Sequence, residues 1–262
     1  MTPLRKLGSA ALLAAIASCS GTTGGALVTL PFKSGGAQVS STFTTATGWT
    51  VTLQTALIAL GPFYFTISPP SQALATSGVV IIQATEQVVV DALNPNLQNV
   101  PGGADGETGT SIAAVIGLNP PDSTQSPSLQ ALLGTNVGLV AGTATKGGTT
   151  VQFSGPIAIN PNLASAAVPL AYLEQVSGAL ADLTFLASPQ VLELRVDPTS
   201  WFDAVDFSLL LRGSPSNGVY TWDVSDCSGQ SFAQTAQCEF LDTLLQGVQS
   251  ETGVYLFQLA IP

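Results

Sequence analysis

The 262-residue chain contains no histidine. That removes the commonest general base, the commonest metal ligand and every Ser-His or Cys-His nucleophilic arrangement. Met1 is the only methionine, which excludes a thioether copper site. Basic residues are nearly as scarce, six Lys and Arg against sixteen Asp and Glu, for a net charge of −10. Phosphate binding needs a basic face, and too few cations are present to assemble one, so nucleic acid is excluded as a partner. The same deficit prevents docking on an anionic membrane by charge. Nor is there an apolar run of the ~20 residues that a transmembrane helix requires. The residues point to no metal and no cofactor.

What is present begins at the start of the chain. Arg5 and Lys6 give a short cationic opening, Leu7 to Ala17 an apolar run of small residues, and Ile16-Ala17-Ser18 leads into Cys19. That order is an export signal. Ser20, Gly21, Thr22 and Thr23 close the apolar run at about half the spanning length. The string Ile16-Ala17-Ser18-Cys19 resembles the lipobox of bacterial lipoproteins, in which the signal is cut before the cysteine and the cysteine carries lipid. The resemblance implies a signal peptide over residues 1–18, an acylated Cys19 partnered by membrane lipid, and a flexible Gly/Ser/Thr tether over 19–25. Ser20 stands where the inner-membrane retention pattern has Asp, which by the same resemblance implies the outer membrane of the bacterial cell envelope. Loss of Arg5 and Lys6 leaves Lys33, Lys146, Arg195 and Arg212 against all sixteen acids, a mature charge near −12.

Two cysteines then remain, Cys227 and Cys238. In an exported chain they are most simply a disulfide, worth about 2–3 kcal/mol by the chain-entropy argument for a loop this short. The spacing is not Cys-x-x-Cys, so a redox pair is disfavoured.

Along the mature chain, Ala26 to Phe32 and Ala37 to Thr44 read as strands about a Ser34-Gly35-Gly36 turn. From Trp49 the pattern alternates, then becomes nearly continuous from Leu57 to Ile67, with Gly61-Pro62 marking a bend or bulge. Val79 to Ile82 and Gln87 to Asp91 are short β-branched runs. Between Asn94 and Pro127, two Pro/Gly-rich loops surround a strand over Ser111 to Leu118, and Ser128 to Leu133 gives a turn of helix. Asn136 to Thr145 and Thr149 to Ile159 form a hairpin about Lys146-Gly147-Gly148. Leu170 to Leu186 mixes helical spacing with a central Ser177-Gly178, and its strand neighbours favour strand. Val191 to Val196 alternates cleanly and ends at Asp197-Pro198, which predicts a short helix to about Phe207. Gly218 to Val224 is a strand, Gln237 to Val248 an amphipathic helix, and Tyr255 to Ile261 a final strand.

Ten or more short strands, frequent turns and one good helix predict an all-β fold. The best fit is a single β-sandwich over residues 26–262 with short helical insertions and one C-terminal helix; the alternative is two β-domains meeting near 120–135. An outer-membrane barrel fits less well, because the strand patterns are short and uneven. Gly48-Trp49, Val51, Leu53, Ala56, Leu60-Gly61-Pro62 and Tyr64, with Val196-Asp197-Pro198, Trp201-Phe202 and Val205-Asp206-Phe207-Ser208, resemble a group of bacterial lipoproteins of unassigned function. The resemblance covers most of the mature chain and brings no activity with it.

Chemistry, if there were any, would lie near Asp197, Asp203 and Asp206, with Trp201 and Phe202 among them and Asp223 and Asp226 further on. Paired carboxylates beside aromatics are what glycoside hydrolysis uses, and loop oxygens are what Ca²⁺ takes. Simpler roles compete: Asp197 as a cap, Asp203 as a solvated residue, Trp201 and Phe207 as core. Asp105-Gly106-Glu107 lacks the spacing of an EF-hand loop, and no Gly-x-Ser-x-Gly elbow exists. The expectation is therefore a membrane-anchored, non-enzymatic envelope protein of binding or structural role, its partner an envelope protein or a glycan. The alternative is a carbohydrate- or small-ligand-binding module built on Trp201, Asp203, Asp206 and Trp222, with Tyr220 beside them. Exposure separates the two, since a sugar platform needs a flat ring open to solvent.

Overall fold

Apolar side chains at every second position drive this chain into strands, and the strands collect into three sheets among the described residues of the computed structural model, 24–68, 79–159, 175–223, 227 and 235–262. The signal segment, Cys19 and Asp226 lie outside the described residues. In chain order the first strands are β1 (Leu27–Leu30), β2 (Phe32–Gly36), β3 (Thr42–Thr44), β4 (Thr50–Leu60), β5 (Phe63–Thr66), β6 (Val80–Ala84), β7 (Val88–Asp91) and β8 (Gln98–Asn99). Then come β9 (Ala104–Glu107), β10 (Gly109–Gly117), helix α1 (Pro127–Leu133), β11 (Gly138–Lys146), β12 (Thr149–Ile157), β13 (Gln175–Phe185) and β14 (Val191–Val196). The chain closes with β15 (Val219–Tyr220), helix α2 (Ala236–Val248) and β16 (Tyr255–Ala260). The fold is all-β and sandwich-like.

The first sheet runs β1-β9-β6-β5-β10-β13, the second β15-β12-β11-β4-β3 with β7 also on β4, and the third β16-β14-β2-β8. Pairing is antiparallel except for β14 with β2 and β12 with β15. The β11–β12 hairpin closes as expected: Lys146 pairs with Thr149, and Gly147 and Gly148 both take positive φ, as a two-residue turn of the right twist requires. The strand reading of Leu170 to Leu186 holds for β13, which pairs with β10; residues 170–174 lie outside the described residues. Helical spacing in that stretch gives way to the sheet edge offered by β10.

Several boundaries differ from the sequence reading. Ser34-Gly35-Gly36 is not a turn but the end of β2. A Cβ on Gly36 would lie 2.3 Å from the Ala92 carbonyl oxygen and one on Gly35 2.8 Å from that of Asn96, so these glycines serve close backbone approach. The strand predicted over Ala37 to Thr44 shrinks to Thr42–Thr44. Gly61-Pro62, a cis bond, does not bulge one strand; it turns the chain from β4 in the second sheet to β5 in the first. Gly61 and Pro62 are held there by backbone bonds to Gly117. In the region read as loop between Asn94 and Ser111, β8 and β9 both form, and Asp105-Gly106-Glu107 is itself strand. Of the strand expected over Gly218 to Val224, only Val219–Tyr220 forms among the described residues, Val224 lying outside them. The helix expected from Pro198 to Phe207 is replaced by two 3₁₀ segments, Ser200–Phe202 and Phe207–Arg212.

One apolar core takes residues from all three sheets and from α2. Aromatic edges lock the layers: Phe32 on β2 meets Phe63 on β5 at 5.0 Å between ring centroids, and Phe65 meets Phe257 on β16 at 5.1 Å. Helix α2 starts where the Thr235 hydroxyl accepts from the Cys238 backbone N–H (3.2 Å), with Glu239 in its first turn. Its apolar stripe of Leu241, Leu244, Leu245 and Val248 is buried, and the Tyr255 hydroxyl donates to the Val248 carbonyl at 2.9 Å. Cys238 bonds Cys227, with Cα atoms 5.6 Å apart.

Two buried serines behave oppositely and give a test. Ser111 Oγ lies 3.0 Å from the Thr66 carbonyl and 2.9 Å from that of Ala113, whereas Ser34 Oγ, equally buried, has no protein partner. An unpaired buried hydroxyl destabilises, and a paired one does not. By urea unfolding, Ser34→Ala should raise stability by about 1 kcal/mol and Ser111→Ala lower it by about 1 kcal/mol. Equal losses in both would contradict the assignment.

Candidate functional site

Of the sequence candidates, Asp206 lies at the end of the second sheet that carries Trp49 and Lys146, reached by the connection after β14, whereas Trp222 lies toward the other end of β12, against Gly155 and Pro156. Asp197 continues from β14, its N–H donating to the Val254 carbonyl at 2.8 Å. Its Oδ1 accepts from Thr199 N (2.8 Å) and Thr199 Oγ1 (2.7 Å), a local turn rather than a helix cap. The Ser200–Phe202 segment then drives Trp201 and Phe202 into the core, both fully buried. Helix α2 passes so close to Trp201 that a Cβ on Gly247 would lie 2.2 Å from the Trp201 carbonyl oxygen. The buried Trp201 Nε1 has no protein acceptor.

Asp203 emerges on the surface. Its backbone oxygen accepts from Ala46 N at 3.0 Å, while its side chain is exposed. Asp206 is half-buried and caps the Phe207–Arg212 segment: Oδ1 accepts from Ser208 N at 3.0 Å and Oδ2 from Ser208 Oγ at 2.8 Å. Oδ1 also accepts from Trp49 Nε1 at 3.0 Å, across 157 residues of sequence. Around this pair, Thr47 Oγ1 donates to the Val205 carbonyl at 2.6 Å, and Lys146 Nζ donates to the Thr47 carbonyl at 2.6 Å. That ammonium stands 5.9 Å from the Trp49 ring centroid. Burial pushes the Asp206 carboxyl up, but the Ser208 and Trp49 donors and the Lys146 charge together hold it below its ordinary value of 3.8.

Trp222 lies against β12 with its Nε1 donating to the Pro156 carbonyl at 2.8 Å. Its ring fills the space over Gly155, where a Cβ would fall 2.3 Å from the indole, and it packs on Phe240 at 4.9 Å. Trp49, Trp201 and Trp222 are all buried, at 3, 0 and 5 % exposure, and Tyr220 is half-buried. None of these indoles can present a face to a sugar in this arrangement. Among the described residues no group of three His, Cys, Asp or Glu side chains is placed to hold a metal ion. Asp206 is used in capping and Trp201 in packing. Trp49 and Lys146 complete the surroundings of Asp206, and only long-range pairing places them there.

Comparison of the chain with models of protein families, with curated proteins and with solved structures found no match in any of the three.

The two neighbouring aspartates should respond differently to substitution. Asp206→Ala removes a cap and strands the Trp49 N–H, and should cost about 1–2 kcal/mol; Asp203→Ala should stay within about 0.5 kcal/mol. Because its folded-state acidity is enhanced, Asp206 contributes stability that is present above about pH 4 and lost as pH falls through its depressed pKa. The advantage of wild type over Asp206→Asn in thermal unfolding should therefore shrink from pH 5 to pH 2. A constant difference over that range would contradict the account, as would a Ca²⁺-dependent rise in Tm abolished by Asp203→Ala.

Proposed function

We propose that this chain is a lipid-anchored protein of the bacterial cell envelope, held at the outer membrane through acylated Cys19, whose β domain has a binding or structural role and performs no reaction of its own. The observation that carries the reading is the Ile16-Ala17-Ser18-Cys19 string behind a short cationic and apolar segment. The chemistry of the body agrees with it. With no histidine available, general acid–base work would fall to carboxylates, and Asp197 and Asp206 accept hydrogen bonds from their own local backbone and hydroxyls. The disulfide between Cys227 and Cys238 suits an oxidising compartment. No helix among the described residues is long and apolar enough to cross a membrane. An envelope protein is the partner class this body fits better than a glycan, because its tryptophans are spent in the core.

Attachment should rest on Cys19. Each buried CH₂ contributes about 0.8 kcal/mol to membrane anchoring, and more than one acyl chain is needed for stable attachment. Wild-type protein should partition into detergent and carry acyl mass on an N-terminal Cys19. Cys19→Ser should either retain its uncleaved signal or appear in the aqueous phase. A wild-type N-terminus elsewhere, or an unmodified wild type in the aqueous phase, would overturn the proposal.

A further inference from the structure

The first sheet has one end at which apolar side chains face solvent, and β1 begins there. Strand pairing fixes which residues share that end. Leu27, the first residue of β1, pairs with Glu107, the last of β9. Ile82 of β6 pairs with Gly106, which places Val79 and Val80 at the same end. The Ile67 N–H donates to the Val79 carbonyl at 3.1 Å, and Thr66 pairs with Ala113, so Ile67 and Ile112 follow. Gly109 pairs with Phe185, which leaves Leu186 just past the end of β13. Of the eleven large apolar side chains exposed among the described residues, six are these: Leu27, Ile67, Val79, Val80, Ile112 and Leu186. Leu27 is 76 % exposed.

An end this apolar calls for a covering. We propose that it is the membrane-facing end of the domain and rests on the lipid surface to which the chain is tethered. The inference builds on the reading of Cys19 as the anchor. Cys19 precedes Leu27 by eight residues. Such a tether spans at most about 29 Å extended and averages about 16 Å as a Gly-rich coil. A bilayer is therefore always within reach of this end.

Charge favours lipid over a second copy of the chain as the occupant. Two mature domains, each near −12, repel one another, whereas a zwitterionic bilayer carries no net charge. Lys33, Lys146, Arg195 and Arg212 all lie off the strands of this sheet. Contact is therefore apolar and cannot depend on anionic lipid. Glu107 at the same end is buried, with a carboxylate oxygen 3.2 Å from the Gly25 N–H it accepts from. Asp182, on β13 four residues before Leu186, is exposed and disfavours an anionic surface.

The test places an environment-sensitive fluorophore on Val80→Cys and, as the control, on Val39→Cys. Val39 is also exposed but lies beyond the opposite end of β2, where Ala37 N bonds the Val196 carbonyl. The full chain is reconstituted in phosphatidylcholine vesicles carrying a quencher on the acyl chains. A second preparation replaces residues 1–19 with a six-histidine tag and uses nickel-chelating lipid, the chain having no histidine of its own. In both, the Val80 label should be quenched at least threefold more than the Val39 label. The effect should be unchanged between 50 mM and 500 mM salt and reduced to the control level by adding Ile67→Asp. Equal quenching at the two positions in the tagged preparation would overturn the docking surface. A Val80 label already shielded without vesicles, with a doubled sedimentation mass, would overturn it in favour of self-association. If only the full chain stays unacylated and aqueous, the anchor reading falls, and the tagged preparation still decides the docking surface.

Discussion

Phe207 sits at the centre of the contacts that hold the second sheet to the C-terminal third of the chain. Its ring centroid lies 5.7 Å from Trp49, 5.0 Å from Phe153, 6.0 Å from Phe202 and 5.5 Å from Phe240. Through those rings β12, the residue preceding β4, both 3₁₀ segments and α2 share one packing problem. Each such pair adds about 0.5–1.5 kcal/mol beyond its burial. The position of Phe207 depends in turn on the residue before it, because Asp206 starts the 3₁₀ segment and receives the Trp49 indole N–H. A carboxylate fixed in this way and rings packed in this way are parts of the framework. The same residues are therefore poor candidates for a reaction or a ligand, although their composition suggests both.

The proposed anchor at Cys19 and the apolar end of the first sheet would act together physically. A domain with so few cations gains nothing from anionic headgroups, so under the proposal membrane contact would have to come from hydrocarbon, whether covalent at Cys19 or presented by the strand ends near Leu27. A short tether at Cys19 would by itself allow many orientations. An apolar end beside the start of β1 would favour one of them.

Much of this architecture was legible in the sequence wherever alternation was strict. The hairpin about Lys146, the strand from Val191 and the helix from Ala236 carry their own local signals, a Gly-Gly turn, a period of two and an apolar stripe. Glycine misled where it serves packing: Gly35 and Gly36 read as a turn because close approach to Ala92 and Asn96 is invisible until the chain is folded. The Pro198 helix failed because Asp206 prefers to cap the following segment, a choice stabilised by Trp49 from 157 residues away. The site was half visible for the same reason. Asp203 and Asp206 lie three residues apart in sequence, but whether each faces solvent or the core is decided by partners that the sequence does not place beside them.

Tryptophan emission tests the central claim that these rings and carboxylates serve the fold. If Trp49, Trp201 and Trp222 are all buried, the native protein should show a blue-shifted emission with weak acrylamide quenching, both unchanged by soluble oligosaccharides and shifting together only on unfolding. A red, readily quenched component in the native state, protected by an added glycan, would contradict the account and return Trp201 or Trp222 to the surface as a ligand platform.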